Sequence, residues 1–102
     1  MSEVDFILTN QTEFLKFLKS KYRMMHNSNI FFRDFHYGIM EFLREHDIKK
    51  KYQSAEIIAQ DAGKAFEQNG IFKKIDYQTW MLNYPDFALP RVEKKPPNLI
   101  PR

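Results

Sequence analysis

From Ser54 to Tyr84 the chain changes its hydrophobic period once, and the change predicts an amphipathic helix followed by a short β-hairpin. At 100° per residue Ala55, Ile58, Ala59, Ala62, Ala65 and Phe66 fall within an arc roughly 120° wide, the width of a core-facing stripe. Ser54 stands where a side-chain oxygen accepts from a free first-turn N–H. Asn69-Gly70 supplies a left-handed stop, with Ile71 placed for the hydrophobic contact of a Schellman motif. Beyond it Trp80, Leu82 and Tyr84 alternate with Thr79, Met81 and Asn83, the period of a half-buried strand. Phe72 to Ile75 is its expected partner across an Asp76-Tyr77-Gln78 turn, and no Asn-Gly or Asp-Gly pair fixes the register.

Two further helices are expected upstream. Phe14, Leu15, Leu18 and Tyr22 give an apolar face to Thr12–Arg23, with Asn10 and Glu13 at capping-box spacing. Phe32, Phe35, Ile39, Phe42 and Leu43 lie in an arc of roughly 100° over Phe32–His46, with Ile30 and Phe31 compatible with extended chain before it. Gly38 is expected on the outer side of that helix, where it costs about 1 kcal/mol relative to alanine. Tyr37, Arg33, Glu41 and Arg44 share the exposed face. Arg23–Asn29 and Asp47–Tyr52 read as connectors. In residues 1–11 the patch of Val4, Phe6, Ile7 and Leu8 is compatible with an edge strand or with an extended arm.

All five prolines lie from Pro85 onward, in PDFALPRVEKKPPNLIPR. Proline fixes φ and removes a donor, so this tail is expected to be extended or polyproline-like. The chain therefore divides into residues 1–84, a single domain with an N-terminal arm at 1–11, and a Pro-rich tail at 85–102. No internal repeat is visible. The 102 residues suffice for one core, and ten phenylalanines predict that it is built on rings. Cysteine is absent, which excludes disulfides, thiolate metal ligands and cysteine nucleophiles. Apolar runs such as Val4–Leu8 fall far below the roughly 20 residues that cross a bilayer. Without a basic, long-apolar leader either, a cytoplasmic protein is expected. Net charge is +3, and residues 85–102, with four Lys or Arg against two Asp or Glu, hold +2 of it.

The catalytic inventory is thin. Gly38, Gly63 and Gly70 are isolated, so no phosphate-cradling loop exists, and no serine stands in a nucleophile elbow. His26, His36 and His46 are ten residues apart, whereas metal sites on one helix need spacings of three or four. Structural histidines are the simpler reading, and Glu41 with Glu45 is more simply a solvated pair than a catalytic one. No enzymatic activity, cofactor or metal is expected.

The order helix, helix, helix, hairpin is that of a winged-helix domain. Over about residues 30–84 the chain resembles that superfamily, and more narrowly its DEP-domain branch, through SAEIIAQDAGKAFEQNGIFKKID and the aromatic strand TWMLNY. FFRDFHYGIMEFLREH matches the preceding helix. The DEP hairpin arm between the first two helices is not seen.

In DNA-binding members of the superfamily the third helix enters the major groove. Here, between Gln53 and Asn69, one lysine stands against three acids, a balance of −2 that phosphates would repel. Gln60, Lys64 and Gln68 have side chains that can read bases, but Ile57 at the centre of that face suits a protein contact better. The expectation is an α+β, three-helix winged-helix-like domain with a C-terminal β-hairpin and an extended tail. Another protein is the favoured partner, through Ile57, Gln60, Lys64 and Gln68. The alternative is DNA or RNA bound by a basic stripe of Lys16, Lys19 and Arg23 together with Lys49, Lys50 and Lys51. The same stripe against an anionic membrane surface is disfavoured, since an ordinary solvated helix face explains it.

Overall fold

The computed structural model describes residues 2–88. Its architecture is α+β: four helices and a three-stranded antiparallel sheet, in the order α1 (Glu3–Thr9), α2 (Gln11–Tyr22), β1 (Asn29–Phe31), α3 (Phe32–Glu45), α4 (Tyr52–Gln68), β2 (Phe72–Asp76) and β3 (Thr79–Leu82). The sheet order is β1-β3-β2. The expected hairpin is present, with Phe72 opposite Leu82 and Lys74 opposite Trp80, and a register shift around Ile75. Trp80 and Leu82 are buried and Thr79 and Met81 half-buried, as the alternation requires.

Four helices replace the expected three, because residues 3–9 are neither strand nor arm but helix. Val4, Ile7 and Leu8 are spaced i, i+3, i+4, which puts them on one helical face. Ser2 caps that helix, its Oγ accepting from the Asp5 N–H at 3.1 Å. Ile7 is fully buried, and α1 packs chiefly on α4. The Asn10–Glu13 capping box does not form, since α1 runs almost directly into α2. The Asn10 side chain instead donates to the Phe6 carbonyl at 2.9 Å, and Glu13 lies 3.5 Å from His46.

The third expected helix also starts earlier than its cap signal. α4 begins at Tyr52, with Lys51 in the N-cap position, and Ser54 is an exposed first-turn residue that caps nothing. A tertiary contact accounts for the extra turn: the Tyr52 ring packs on His36 at 4.3 Å between centroids, and the Tyr52 carbonyl accepts from His36. At its other end Gly70 adopts φ +85°, the left-handed stop expected of it.

The core is a stack of rings. Phe14, Phe35, Phe42, Phe66 and Phe72 are all essentially inaccessible. Phe35 meets Phe14, Phe66, Phe72 and Trp80 edge-on, at 5.2–6.1 Å. Gly38 is buried in this interior rather than on the outer side: a Cβ there would lie 2.2 Å from the Leu18 Cδ2. Gly63 plays the matching part on α4, where a Cβ would lie 2.7 Å from the Trp80 ring. Pro85–Phe87 forms a 3-10 turn rather than extended chain, with Phe87 buried beneath the Lys19 ammonium, 4.7 Å from the ring centroid. The remainder of the expected extended tail, residues 89–102, lies outside the described residues.

Candidate binding surface

The surface expectation for α4 rests on its polar arc. Ile57, Gln60, Lys64 and Gln68 are all exposed, and Ile57 keeps 61% of its surface in solvent. At 100° per residue, Tyr52, Glu56, Gln60, Lys64, Ile57 and Gln68 follow one another around about 160° of the helix. The face therefore does not end at Gln60 but continues through Glu56 to Tyr52.

There it opens into a groove of about 510 Å³ lined by Phe31, Phe32, Arg33, His36, Tyr52 and Gln78, with Glu56 on the α4 side. Three elements build it. β1 runs without a loop into α3, so Phe31, pointing away from the sheet's buried face, and Phe32, in the first helical turn, form adjacent walls. The turn of the hairpin contributes Gln78, whose carbonyl accepts from the Phe32 N–H at 2.8 Å and fixes hairpin to helix. α4 contributes Tyr52. Phe31 and Tyr52 are each about half exposed, which places two large rings on one open groove.

His36 holds the floor in place. Only 2% of it is accessible, and its Nε2 lies 3.0 Å from the Tyr52 carbonyl oxygen. A carbonyl only accepts, so the proton of the neutral ring sits on Nε2. Partial desolvation, then the neighbouring Tyr37 and Glu56, holds the Tyr52 phenol above its usual range. Tyr52 is therefore a neutral hydrogen-bonding ring at physiological pH.

Tyr37, its ring 6.1 Å from that of Tyr52, lines a second groove of about 420 Å³ together with Met40, Glu41, Arg44, Lys49 and Lys50. Its charges are largely engaged: Arg44 donates to Glu41, whose carboxyl it holds below the usual range, and Lys50 lies 3.0 Å from Glu3.

The basic residues are not gathered into one site. Lys16, Lys19 and Arg23 are exposed along α2, but Lys19 is drawn over Phe87 and Arg23 is the left-handed C-cap of the helix, φ 52°. Lys49, Lys50 and Lys51 lie in the α3–α4 connection, with Lys50 turned toward α1. No described contact joins the two sets.

Each histidine has a hydrogen-bonding or packing partner within the fold. His26 Nδ1 accepts from the Tyr84 N–H at 3.0 Å, His36 is accounted for above, and the His46 ring packs on Phe6 and Phe42. Among the described residues no three His, Cys, Asp or Glu side chains converge as metal ligands. No described helix is long and apolar enough to cross a membrane.

Sequence reasoning reached the Ile57 face and missed the aromatic groove. By pattern Phe32 belongs to the core-facing arc of its helix, Phe31 to the extended chain before it, and Tyr52 to the Asp47–Tyr52 connector. The signal available was Tyr37 and Tyr52, aromatic residues that carry a polar tip suited to an exposed edge. No family model matches the chain, and no curated protein or solved structure matches it.

Proposed function

We propose that this chain is a non-enzymatic binding module of winged-helix-like architecture, and that its partner is another protein. The architectural part is supported by the succession α2, α3, α4 and then the β2–β3 hairpin, with Trp80 of the hairpin packed against Gly63 of α4. The DEP-like part rests on the sequence resemblance alone. Between α2 and α3 the connection carries the short strand β1, not the hairpin arm of that branch.

One observation carries the choice of partner. The groove walled by Phe31 and Tyr52 adjoins the polar arc of α4, where Glu56 and Gln60 stand between it and the exposed Ile57, so that exposed rings and an exposed aliphatic side chain alternate with polar groups. Half-exposed aromatic residues flanked by polar groups are the make-up of protein-contact surfaces. The same α4 face carries Glu56 and Asp61 against Lys64, and its third acid, Glu67, accepts from the Trp80 indole N–H at 2.6 Å. A duplex presented to this helix meets net negative charge.

Nucleic acid is the alternative, through the α2 stripe and the 49–51 lysines. Fluorescence anisotropy of a labelled 20-base-pair duplex decides between them. The protein reading expects no saturable binding in the micromolar range at about 50 mM salt. Tight binding that falls steeply as salt rises, the signature of phosphate neutralisation, would establish the alternative.

A further inference from the structure

The two outer edges of the sheet differ in character. β2 carries Lys73, Lys74 and the irregularity at Ile75, devices that keep an exposed edge from pairing. β1 has no lysine, proline or bulge, and among the described residues no strand lies on its outer side. Ser28 and Phe32, the residues flanking β1, are bonded to Leu82 and Gln78. By the alternation of an antiparallel ladder, Asn29 and Phe31 therefore turn their N–H groups, and Asn29 its carbonyl, away from β3. Both residues are exposed.

A pocket of about 120 Å³ adjoins this edge. Leu18 and Tyr22 of α2, Met24, Ile30 of β1 and Phe35 of α3 give it apolar walls, and Asp34 is the charged side chain among its lining residues. The ion pair of Asp34 is a 3.7 Å approach by the exposed Arg33. Burial first, and then the charge of Asp34, hold the Tyr22 phenol above its usual range, so it stays a neutral hydrogen-bonding group.

We propose that β1 takes an added antiparallel strand from a partner protein, with a lysine or arginine of that strand in the pocket against Asp34. The backbone dictates an extended occupant, because the free groups of Asn29 and Phe31 recur two residues apart, the repeat of a β-ladder. A helix satisfies its own backbone groups and has none to offer such an edge. The pocket then selects one side chain. Residues opposite one another in a sheet point to the same face, so the residue beside Ile30 projects, as Ile30 does, toward Leu18 and Phe35. A long basic side chain suits both parts of the pocket: its methylene stem lies along Leu18, Met24 and Ile30, and its cationic head reaches Asp34. An acidic side chain there meets Asp34 and is repelled. The proposal concerns the strand edge rather than the aromatic groove or the Ile57 face, and stands whether or not those bind a partner.

The probe is a seven-residue capped peptide with lysine at its centre, valine on both sides of it and threonine elsewhere, titrated into the isotope-labelled full-length chain. The amides of Asn29 and Phe31 are expected to shift saturably and to exchange with solvent several-fold more slowly. Glutamate in place of the central lysine is expected to weaken binding by roughly tenfold or more. N-methylation of both valines, whose N–H groups face β1 in this register, is expected to abolish it. Asp34→Asn should remove the preference for lysine over glutamate, whereas Ile57→Asp should leave the titration unchanged. The absence of saturable shifts at Asn29 and Phe31 up to about 5 mM peptide would overturn the proposal. So would undiminished binding of the N-methylated peptide, or equal binding of the lysine and glutamate peptides by the wild type. Asn29 and Phe31 amides as protected in the free chain as that of Ile30 would show an edge already occupied, and contradict it. Shifts of these amides that grow with protein concentration alone would assign the edge to a second copy, and contradict it as well.

Discussion

Gly63 and Trp80 are a matched pair, and together they hold hairpin to helix. Ring and backbone approach so closely that a methyl group at Gly63 meets Trp80 Cζ2 and Cη2 at 2.7 and 2.9 Å. The indole has no room to retreat, with Phe35 and Phe72 at 5.2 and 4.9 Å and its N–H on Glu67. Overpacking of this kind costs about 1–3 kcal/mol. That exceeds the roughly 1 kcal/mol by which alanine improves on glycine in a helix. Gly63→Ala is therefore expected to lower stability by about 1 kcal/mol in urea unfolding, and a stabilised variant would show that the indole moves freely. Trp80→Ala removes the partner altogether and is expected to cost about 3–5 kcal/mol.

At the scale of elements, sequence reasoning succeeded where one period ran long enough to be unambiguous. The stripe of α4 and the α3 arc packed as the pattern required except at Ala65 and Phe32, which stay half-buried, and Trp80 and Leu82 are both buried. It failed where a short segment takes its conformation from tertiary contacts. Seven residues of α1 hold too few turns to separate helix from strand by pattern, and their helicity is completed by burial of Ile7 against the rest of the core. The early start of α4 likewise depends on His36, sixteen residues away from Tyr52. Capping signals proved weaker than such contacts, as Asn10 and Ser54 both demonstrate. The aromatic groove was illegible for the same reason: Phe31, Tyr52 and Gln78 are brought together only by the β1–α3 junction, the extra turn of α4 and the hairpin.

The docking of α1 has its own test in the Lys50–Glu3 pair. A hydrogen bond from Lys50 holds the Glu3 carboxyl below the usual range. A lowered folded-state value means that the pair's contribution is full above the ordinary carboxylate range and is lost as pH falls through the folded value. Glu3→Gln is expected to melt slightly below wild type at neutral pH and together with it in acid. The difference should be small, since both side chains are about one-third exposed. A gap that widens on acidification would contradict the assignment.

The whole molecule presents a neutral body, a positively charged C-terminal segment and one face where aromatic and aliphatic side chains stand in solvent. Among the described residues the large apolar side chains of the four helices and the sheet bury one another in a single cluster. Phe31, Tyr52 and Ile57 stand exposed on the groove and the α4 face, and under the proposed reading a partner protein covers them. Quantitative affinity capture from a native extract tests this most directly, comparing wild type with Ile57→Asp and with Tyr52→Ser. Ile57→Asp falls on a position 61% exposed and is expected to leave the thermal melt within a few degrees of wild type. Tyr52→Ser also loses the ring contact with His36 and is compared at a temperature where it remains folded. The account predicts that the same protein is enriched by the wild type and lost at least tenfold from both variants. Identical capture by all three folded proteins would contradict it.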